Sequence, residues 1–389
     1  MAPRLSRLLA LASLASLVLP TLAAPPHKGF PPSLAPGFCL QNDSQKPLWC
    51  PGDGGYGCFK IPSLLRTPTS LLAFIEARKY SCDDHGFIDL LLRRSFDNGT
   101  TWSPATVVHS NSTESDWHTV GDALPVRDAA TGAIQLIFTI DNLDVMHTTS
   151  VDGGATWAAP INISSVALVQ RGPFVGTGHA GGLQLANGDL LVPLYGGTPT
   201  HSYVLSSEDG GASWRVRSEL AAGNEWALAE VQAGSGRLLG SMRPSDAQKP
   251  FAGQSGRLQS WSNDSGVTWS EPEHVRSLIE PVKGCEGSLL LHPNGKLYFG
   301  HPDPPLGLFR TRFNIKVSAD QGRTWALHTQ VWGEESATCV PPCVPAAGYS
   351  SMVAMGDGVD APIGLLYDRN NVSMVIFEAR EVAFTTVSV

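Results

Sequence analysis

A short motif recurs five times along this chain of 389 residues and constrains its fold more than any other feature. Each copy reads Ser-x-Asp-x-Gly-x-Thr/Ser-Trp. The copies are Ser95 to Trp102, Ser150 to Trp157, Ser207 to Trp214, Ser262 to Trp269 and Ser318 to Trp325. Their first serines lie 55, 57, 55 and 56 residues apart. This spacing is typical of a four-stranded blade with its connections, so the repeat predicts a β-propeller with one blade per period.

The motif itself has the chemistry of a hairpin turn. The Asp side chain accepts hydrogen bonds from its own turn, the Gly allows a positive φ, and the Trp ring packs back on the strands. The alternative is a calcium loop, but one carboxylate per turn falls far short of the six to eight oxygen ligands that Ca²⁺ takes. We therefore expect structural turns on the rim away from any active site.

Short apolar runs between the turns have the texture of buried strands, as at 134–138 and 190–192. The 332 residues from 58 to 389 divide into about six periods, which predicts an all-β fold with six blades of four antiparallel strands each. The proline-rich segment 24–57 is too irregular to fold alone, and we expect it to pack on the propeller or to close the ring.

The N-terminus predicts a secreted protein. Arg4 and Arg7 precede an apolar run at 8–19 that ends in small residues, a pattern typical of a cleaved signal peptide over 1–23. A transmembrane anchor is the alternative, but the run is short for a span. Six Asn-x-Ser/Thr sites favour the secretory or endolysosomal route: Asn42, Asn98, Asn111, Asn162, Asn263 and Asn371.

The seven cysteines agree with an oxidising compartment. Four of them cluster early, at Cys39, Cys50, Cys58 and Cys82. Cys339 and Cys343 flank a Val-Pro-Pro stretch able to fold back, whereas Cys285 stands alone and is expected to be the unpaired thiol. Paired zinc-ligand spacings do not occur in the sequence, so disulfides are favoured over metal.

Charge excludes one class of partner. The formal net charge is -8 and no cluster of Lys and Arg occurs, although such clusters are what neutralise phosphates. We therefore expect no nucleic-acid partner and, beyond the N-terminal run, no membrane span.

Several segments between the repeats carry chemically capable side chains. They are Phe59-Lys60-Ile61-Pro62, Ser81-Cys82-Asp83-Asp84-His85, Val120-Gly121-Asp122-Ala123-Leu124-Pro125, Asn224-Glu225-Trp226-Ala227-Leu228-Ala229-Glu230 and Gly348-Tyr349-Ser350-Ser351. Together with the repeats, these segments resemble the sialidase superfamily of exo-α-sialidases, and the resemblance covers nearly all of the chain after the signal peptide.

The resemblance implies a site for each group of the family's chemistry. Three cations bind the substrate carboxylate, here Lys60 with Arg257 and Arg310; Arg243 and Arg312 stand close to the chosen arginines as alternatives. Lys60 replaces the family's arginine, and lysine keeps the charge but loses the planar fork that binds a carboxylate twice.

The resemblance also implies the catalytic groups. Asp84 is expected to be the acid/base residue, with Asp83 as the alternative, and Asp122 is expected to contact the substrate at the pocket edge. Glu230, the second acid of its segment, is expected to take the proton of Tyr349, the nucleophile. Sialidases use a tyrosine where most glycosidases use a carboxylate, because a sialic acid carries its own carboxylate on the anomeric carbon.

The implied function is hydrolysis of terminal sialic acids, Neu5Ac or Kdn, from glycoconjugates with retention of configuration. The resemblance implies no metal and no organic cofactor, and we expect a monomer that binds sialylated glycans, glycoproteins or glycolipids. Two alternatives stay open: a lectin-like propeller weakened by Lys60, and a trans-sialidase. All of these readings require distant side chains to meet in one axial cavity.

Overall fold

The computed structural model describes residues 39, 45–167, 172, 174–245, 256–304, 309–333, 345–370 and 381–389. The expected signal peptide, the Cys339 and Cys343 pair, and the sequons at Asn42 and Asn371 lie outside the described residues. None of the described helices combines the length and the apolar character needed to cross a membrane.

The described chain forms 25 strands in six sheets, each an antiparallel blade. Strand β1 (Lys46–Trp49) comes first, followed by a 3₁₀ turn at Asp53–Gly55. Blade 1 contains β2 (Cys58–Arg66), β3 (Leu71–Arg78), β4 (Ile88–Ser95) and β5 (Thr106–His109). Blade 2 contains β6 (Val120–Arg127), β7 (Ile134–Ile140), β8 (Asp144–Ser150) and β9 (Ile161–Asn162), followed by helix α1 (Ser164–Ala167).

Blade 3 contains β10 (Val175–Thr177), β11 (Leu183–Gln184), β12 (Leu190–Gly196), β13 (His201–Ser207) and β14 (Arg215–Leu220). Blade 4 contains β15 (Trp226–Glu230), β16 (Leu238–Met242), β17 (Gly256–Ser262) and β18 (Glu273–Ile279). Blade 5 contains β19 (Ser288–Leu291), β20 (Leu297–Pro302), β21 (Phe313–Ser318) and β22 (Ala326–Trp332). Blade 6 contains β23 (Ala346–Ala354), β24 (Ile363–Asn370) and β25 (Glu381–Val387). The predicted all-β, six-bladed propeller is confirmed.

Two blades depart from the simple repeat. In blade 3 the inner strand is broken, because β10 and β11 both pair with β12. In blade 6 the outer strand is β1, which pairs with β25 and so joins the two ends of the chain in one sheet. The segment 24–57 therefore contributes a strand near its end.

The hydrophobic core lies between the blades rather than on the axis. Six apolar clusters each combine side chains of two neighbouring blades, as where Leu72 and Phe74 of blade 1 meet Ile134 and Phe138 of blade 2. A ring of such interfaces stabilises the propeller without filling its centre. At the axis the described residues form only a small cluster of Ile61, Cys285 and Tyr349.

The five sequence repeats form nearly identical turns between the third and fourth strands of blades 1 to 5. In the first, the Ser95 hydroxyl donates to Asp97 at 2.8 Å and accepts from the backbone N–H of Gly99 at 2.8 Å. Asp97 also accepts from the backbone and hydroxyl of Thr101, and these bonds lower its pKa to about 2. In blade 6 the strand that pairs with the third strand, β25, is β1, so none of the five repeats joins these two strands.

Disulfides join Cys39 to Cys50 and Cys58 to Cys82. Cys285 is free and buried, as the sequence predicts.

Candidate active site

One large cavity, of about 920 Å³, opens at the axis, and every blade contributes to its wall. One lining residue from each blade, in order, is Lys60, Asp122, Tyr195, Arg243, Arg310 and Tyr349. The inner strands of the blades lie side by side around the axis, so residues near one end of each strand converge there. The repeated turns lie at the other end and do not line the cavity, as expected.

A phenol and a carboxylate meet at the floor of this cavity. Tyr349, on β23 and 6% exposed, donates its hydroxyl to Glu225 Oε1 in a short hydrogen bond. The other oxygen of Glu225 accepts from Arg243 Nη1 at 2.7 Å. Burial raises the pKa of Tyr349, and the Glu225 charge adds to this. Burial also acts to raise the pKa of Glu225, but the charges of Arg243 and His179 outweigh it, so Glu225 stays ionised.

The prediction that Glu230 is the partner of Tyr349 is wrong. Glu230 ends β15, and its two carboxylate oxygens accept the backbone N–H groups of Gly234 and Gly236 at 2.8 Å each, so it stabilises the following turn. Glu225 immediately precedes β15, and five residues of extended chain span about 16 Å. The two acids of the segment therefore lie at opposite ends of one strand, and the acid at the cavity end is Glu225.

The prediction that Arg257 lies in the cavity is also wrong. Arg257 is fully buried and donates to Glu280 at 3.1 Å and to the Cys285 carbonyl at 2.7 Å, so its charge is used between blades 4 and 5. Arg243, the alternative, lines the cavity and lies 3.3 Å from the Tyr349 hydroxyl. Arg243 directly follows β16 at the cavity end, whereas Arg257 lies within the third strand of its blade.

Arg310 lies in the cavity as predicted. Its Nε donates to the Gly284 carbonyl at 2.9 Å, and its guanidinium carbon lies 5.2 Å from the centre of the Tyr349 ring. Gly284 has φ +69, and a Cβ there would lie 2.3 Å from Arg243 Nε. The glycine thus lets one loop hold two arginines. Arg312, the other alternative, does not line the cavity.

Lys60 supplies the third cation. It lies on β2, is 7% exposed, and precedes a break in strand register at which Ile61 has φ +56. Asp368 lies behind it in blade 6: burial raises the pKa of that carboxyl, and the charges of Lys60 and Arg310 oppose the shift. Lys60, Arg243 and Arg310 together form a cationic wall beside the Tyr349 hydroxyl.

An acid stands at the mouth of the cavity. The Asp84 side chain is 83% exposed, and its Oδ1 accepts from Arg78 Nη1 at 2.8 Å. The protein around Asp84 removes part of its hydration and so opposes its ionisation, but the charge and hydrogen bond of Arg78 outweigh this effect and lower the pKa of Asp84. Arg78 is itself buried and donates to Glu76 at 2.7 Å. Asp83 also lines the cavity, but it is Asp84 that makes the ion pair with Arg78.

Asp122 lies at the cavity wall, as predicted, within a polar network. Its Oδ2 accepts from Asn142 at 2.7 Å and from Thr139 at 3.0 Å, and its backbone N–H donates to Glu76 at 3.0 Å. Burial raises the pKa of Asp122 to about 7, while the charge of His179 opposes the shift.

A buried histidine links the two acids of the floor. His179 is 1% exposed; its Nδ1 lies 3.4 Å from Asp122 Oδ1 and its Nε2 lies 3.8 Å from Glu225 Oε1. Its ring packs edge-on against Tyr349 at 5.6 Å. Burial alone would lower the pKa of His179, but the charges of Asp122, Glu225 and Glu286 raise it to about 9. His179 is therefore a further charged group at the floor of the cavity.

Three residues of the site have no role in the sequence prediction: Arg78, His179 and Glu225. Arg78 carries a usable signal, because Glu76 and Arg78 are charged residues inside the otherwise apolar run of β3. His179 stands in a glycine-rich segment that reads as structural. Among the described residues, no group of three or more His, Cys, Asp or Glu is arranged to hold a metal ion.

Comparison with known proteins shows the family of the chain. The sequence profile of the BNR repeat-like domain family matches residues 69–361. Sialidase-2 of Cricetulus griseus is 28% identical over 85% of this chain and 93% of its own length, and a sialidase of Bacteroides fragilis is 26% identical over 84% and 63%.

Among solved structures, Hadza microbial sialidase Hz136 superimposes with a TM-score of 0.72 at 24% identity, over 88% of this chain and 68% of that one. Trypanosoma rangeli sialidase in complex with sialic acid gives a TM-score of 0.65 at 18% identity, over 90% and 59%. The prediction of an enzyme of the sialidase superfamily is confirmed, and the chain belongs to the BNR repeat-like domain family.

Proposed function

We propose that this protein is a retaining exo-α-sialidase that removes terminal sialic acids, Neu5Ac or Kdn, from glycans. One observation carries the proposal: the Tyr349 hydroxyl donates to the Glu225 carboxylate beside three cations in a single cavity. A sugar with a carboxylate on its anomeric carbon needs a cationic wall for that carboxylate and a neutral nucleophile beside it. The cavity offers both.

The cationic wall would bind the substrate carboxylate. Arg243 and Arg310 present planar guanidinium groups able to make paired hydrogen bonds, and Lys60 adds a point charge. Low solvent exposure strengthens these interactions relative to bulk water. Binding there sets the anomeric carbon over the Tyr349 hydroxyl.

The first step forms a bond between the Tyr349 oxygen and the anomeric carbon, and breaks the bond from that carbon to the leaving oxygen. The Tyr349 proton passes to Glu225, and a proton from Asp84 goes to the leaving oxygen. Arg243, 3.3 Å from the hydroxyl, stabilises negative charge as it develops on the phenol.

The second step returns every group to its starting state. Water attacks the anomeric carbon, gives one proton to Asp84, and breaks the bond to Tyr349, whose oxygen regains its proton from Glu225. Two displacements at one carbon retain its configuration.

Asp84 must be protonated to act as an acid, although Arg78 favours its ionised form in the free enzyme. A bound sugar acid brings negative charge and displaces water from the cavity, and both effects raise the pKa of a nearby carboxyl. Substrate binding would therefore prepare the acid for the first step.

The direct test is turnover of a fluorogenic α-sialoside and its 5-hydroxy (Kdn) analogue by the purified protein, with proton NMR to identify the first anomer released. We expect turnover with the α-anomer first, and Tyr349→Phe should reduce the rate by at least about a thousandfold. Release of the β-anomer first would contradict the mechanism.

Lys60 favours a second candidate function, a sialic-acid-binding propeller with weakened catalysis, because lysine lacks the bidentate fork of arginine. Binding of sialylated glycans without turnover of either substrate would support it. Lys60→Arg separates the readings: we expect it to lower KM for the sialoside several-fold. An unchanged KM would show that Lys60 does not bind the carboxylate.

We further propose that the protein is secreted, as a monomer, after removal of residues 1–23. The disulfide pairs Cys39–Cys50 and Cys58–Cys82 support an oxidising compartment. N-terminal sequencing of protein from culture medium, with light scattering for its mass, tests both points.

A further inference from the structure

The connection between blades 4 and 5 follows β18 and contacts three arginines. We call residues 280–285 the arginine loop. Its last three carbonyls each accept a hydrogen bond from a different arginine. The pairs are Arg243 Nη2 with Lys283 at 2.5 Å, Arg310 Nε with Gly284 at 2.9 Å, and Arg257 Nη1 with Cys285 at 2.7 Å. One short loop therefore holds both arginines of the cationic wall and a third arginine that does not line the cavity.

The two wall arginines need such a support because like charges repel. Arg243 and Arg310 both line the cavity, where little water screens one charge from the other. Carbonyl oxygens carry partial negative charge, so the bonds to Lys283 and Gly284 offset this repulsion and fix the direction of each guanidinium plane. Paired hydrogen bonds to a carboxylate require those planes to be correctly oriented. The position of the loop therefore affects how well the wall binds a carboxylate.

A buried ion pair fixes the arginine loop. Glu280 is 2% exposed; its Oε1 accepts from the backbone N–H of Cys285 at 2.7 Å, and its Oε2 accepts from Arg257 Nη1 at 3.1 Å. The loop is thus closed from its first residue to its last. Arg257 Nε donates to Ser241 at 3.1 Å, and Ser241 stands two residues before Arg243. The pair therefore also joins the loop to the strand that leads to Arg243.

Stability alone does not account for this ion pair. Arg257 is fully buried, and the free energy lost in removing two charges from water is similar to what their attraction contributes. Apolar side chains of similar volume in both places often give equal or higher stability. They would not supply the directed bonds to the N–H and C=O groups of Cys285. The pair is therefore suited to holding the loop in one position.

We propose that Arg257 and Glu280 are positioning residues that set the affinity of the cationic wall for the substrate carboxylate. They act through the arginine loop, since neither side chain lines the cavity. The proposal rests on the proposed function, in which Arg243 and Arg310 bind that carboxylate. Removing the Glu280 charge should release the loop and, with it, the orientation of both wall arginines.

Blade 6 contains a matched control for this ion pair. Arg369 Nε donates to Glu381 Oε1 at 2.6 Å, and both side chains are buried. This pair lies between β24 and β25 of one blade, whereas Arg257 and Glu280 fix the connection between two blades. Glu381→Gln therefore removes the same charge from the same kind of pair at a place away from the arginine loop.

The test measures the dissociation constant, Kd, of free sialic acid and of its methyl ester by titration calorimetry. The ester lacks the charge that the wall binds. We expect Glu280→Gln to raise the Kd of the acid about five- to twentyfold and to keep that of the ester within about twofold, because only the acid depends on oriented cations. Glu381→Gln should keep both Kd values within about twofold of the wild type. KM for the sialoside should rise with the Kd of the acid.

A double variant separates position from stability. Arg257→Met with Glu280→Gln removes both charges, so it should unfold at a higher urea concentration than Glu280→Gln, which leaves a buried charge unpaired. The Kd of the acid should nevertheless stay at least about fivefold above that of the wild type, because the directed bond to the Cys285 carbonyl is gone. If Glu280→Gln does not fold, the double variant decides by the same comparison of acid and ester.

Three results would overturn the positioning role: an unchanged Kd of the acid in Glu280→Gln, equal changes for acid and ester, or recovery of the Kd together with the urea midpoint in the double variant. The wild type separates this role from the proposed function. Failure of the wild type to bind sialic acid would overturn both. Binding without turnover would contradict the enzyme mechanism alone, and the Kd values of the variants would still decide the role of Arg257 and Glu280.

Discussion

Two carboxylates five residues apart, Glu225 and Glu230, have separate tasks in this protein. Glu225 accepts hydrogen bonds from the Tyr349 hydroxyl and the Arg243 guanidinium, whereas Glu230 accepts hydrogen bonds from two backbone N–H groups in a turn. Both are buried, and each bonds to different groups. Burial alone therefore does not distinguish the carboxylate of the proposed catalytic pair from the structural one, but the identity of the hydrogen-bond donors does.

This pair supplies a matched test. Glu225→Gln should reduce kcat by about a hundred- to ten-thousandfold, because the amide cannot take the Tyr349 proton. Glu230→Gln should keep kcat within about twofold and cost about 1 to 2 kcal/mol of unfolding free energy, since one acceptor oxygen becomes a donor. Kinetics and urea unfolding of both variants check this. A loss of activity in Glu230→Gln alone would restore the assignment made from sequence.

His179 should make stability depend on pH. Its pKa is about 9 in the folded protein against about 6.5 unfolded, so its charge stabilises the fold fully below pH 6.5 and the contribution is lost as pH rises through 9. The groups facing it are Asp122, Glu225 and Glu286. The unfolding free energy of the wild type minus that of His179→Gln should be larger at pH 6 than at pH 10, by about 3 kcal/mol.

A second buried histidine provides the control for that measurement. Burial lowers the pKa of His147, in blade 2, to about 4, so it is neutral throughout the range from pH 6 to 10. The unfolded imidazole still carries a proton at pH 6, so the gap between wild type and His147→Gln should rise by about 1 kcal/mol from pH 6 to pH 8 and then stay constant, opposite in sign to the change for His179. A gap for His179→Gln that does not fall between pH 6 and pH 10 would contradict a raised pKa for His179.

At the scale of elements, each repeated turn also joins neighbouring blades. In four of the five turns the glycine of the motif lies closest to the preceding blade: a Cβ on Gly99 would lie 2.2 Å from Phe384, and one on Gly154 would lie 2.5 Å from Leu72. These glycines also have positive φ. The turn thus needs glycine for two reasons: its backbone has a positive φ, and the neighbouring blade leaves no room for a Cβ.

Adjacent glycines separate these two requirements. Gly153 and Gly154 have φ of +68 and +80, but a Cβ on Gly153 would meet nothing within 4 Å. Gly153→Ala should cost about 1 kcal/mol of unfolding free energy from backbone strain, and Gly154→Ala about 1 to 3 kcal/mol more from the contact with Leu72. Urea midpoints of both variants test this; equal costs would mean that the contact between blades is unimportant.

At the scale of the whole molecule, the ring is closed by pairing its two ends. In blade 6, β1 pairs with β25, and Gln45 accepts from the Tyr367 hydroxyl and from Arg369 at 2.6 Å. Trp49 on β1 is fully buried in the cluster between blades 6 and 1. Closure therefore depends on residues at opposite ends of the chain, and it holds Lys60 and Tyr349 on neighbouring inner strands.

Trp49→Ala should therefore weaken the whole propeller. Truncating a fully buried Trp costs about 3 to 5 kcal/mol, and the loss should appear as a lower urea midpoint. Leu327→Ala is the control, because Leu327 lies on the outer strand of blade 5 but is 58% exposed; it should change stability by less than about 0.5 kcal/mol. Similar losses in the two variants would argue against ring closure by β1.

The amino-acid sequence by itself determined the propeller, its six blades and the turns at one rim, because these follow from local chemistry repeated at a regular spacing. It also placed Lys60, Asp84, Asp122, Arg310 and Tyr349, which all line the cavity. Only the tertiary structure decided between Glu225 and Glu230 and between Arg243 and Arg257. Each pair belongs to one blade, and the entrance faces one end of that blade's strands. The end of the strands at which the cavity opens depends on contacts among all six blades around the ring. A local sequence pattern does not contain these long-range contacts.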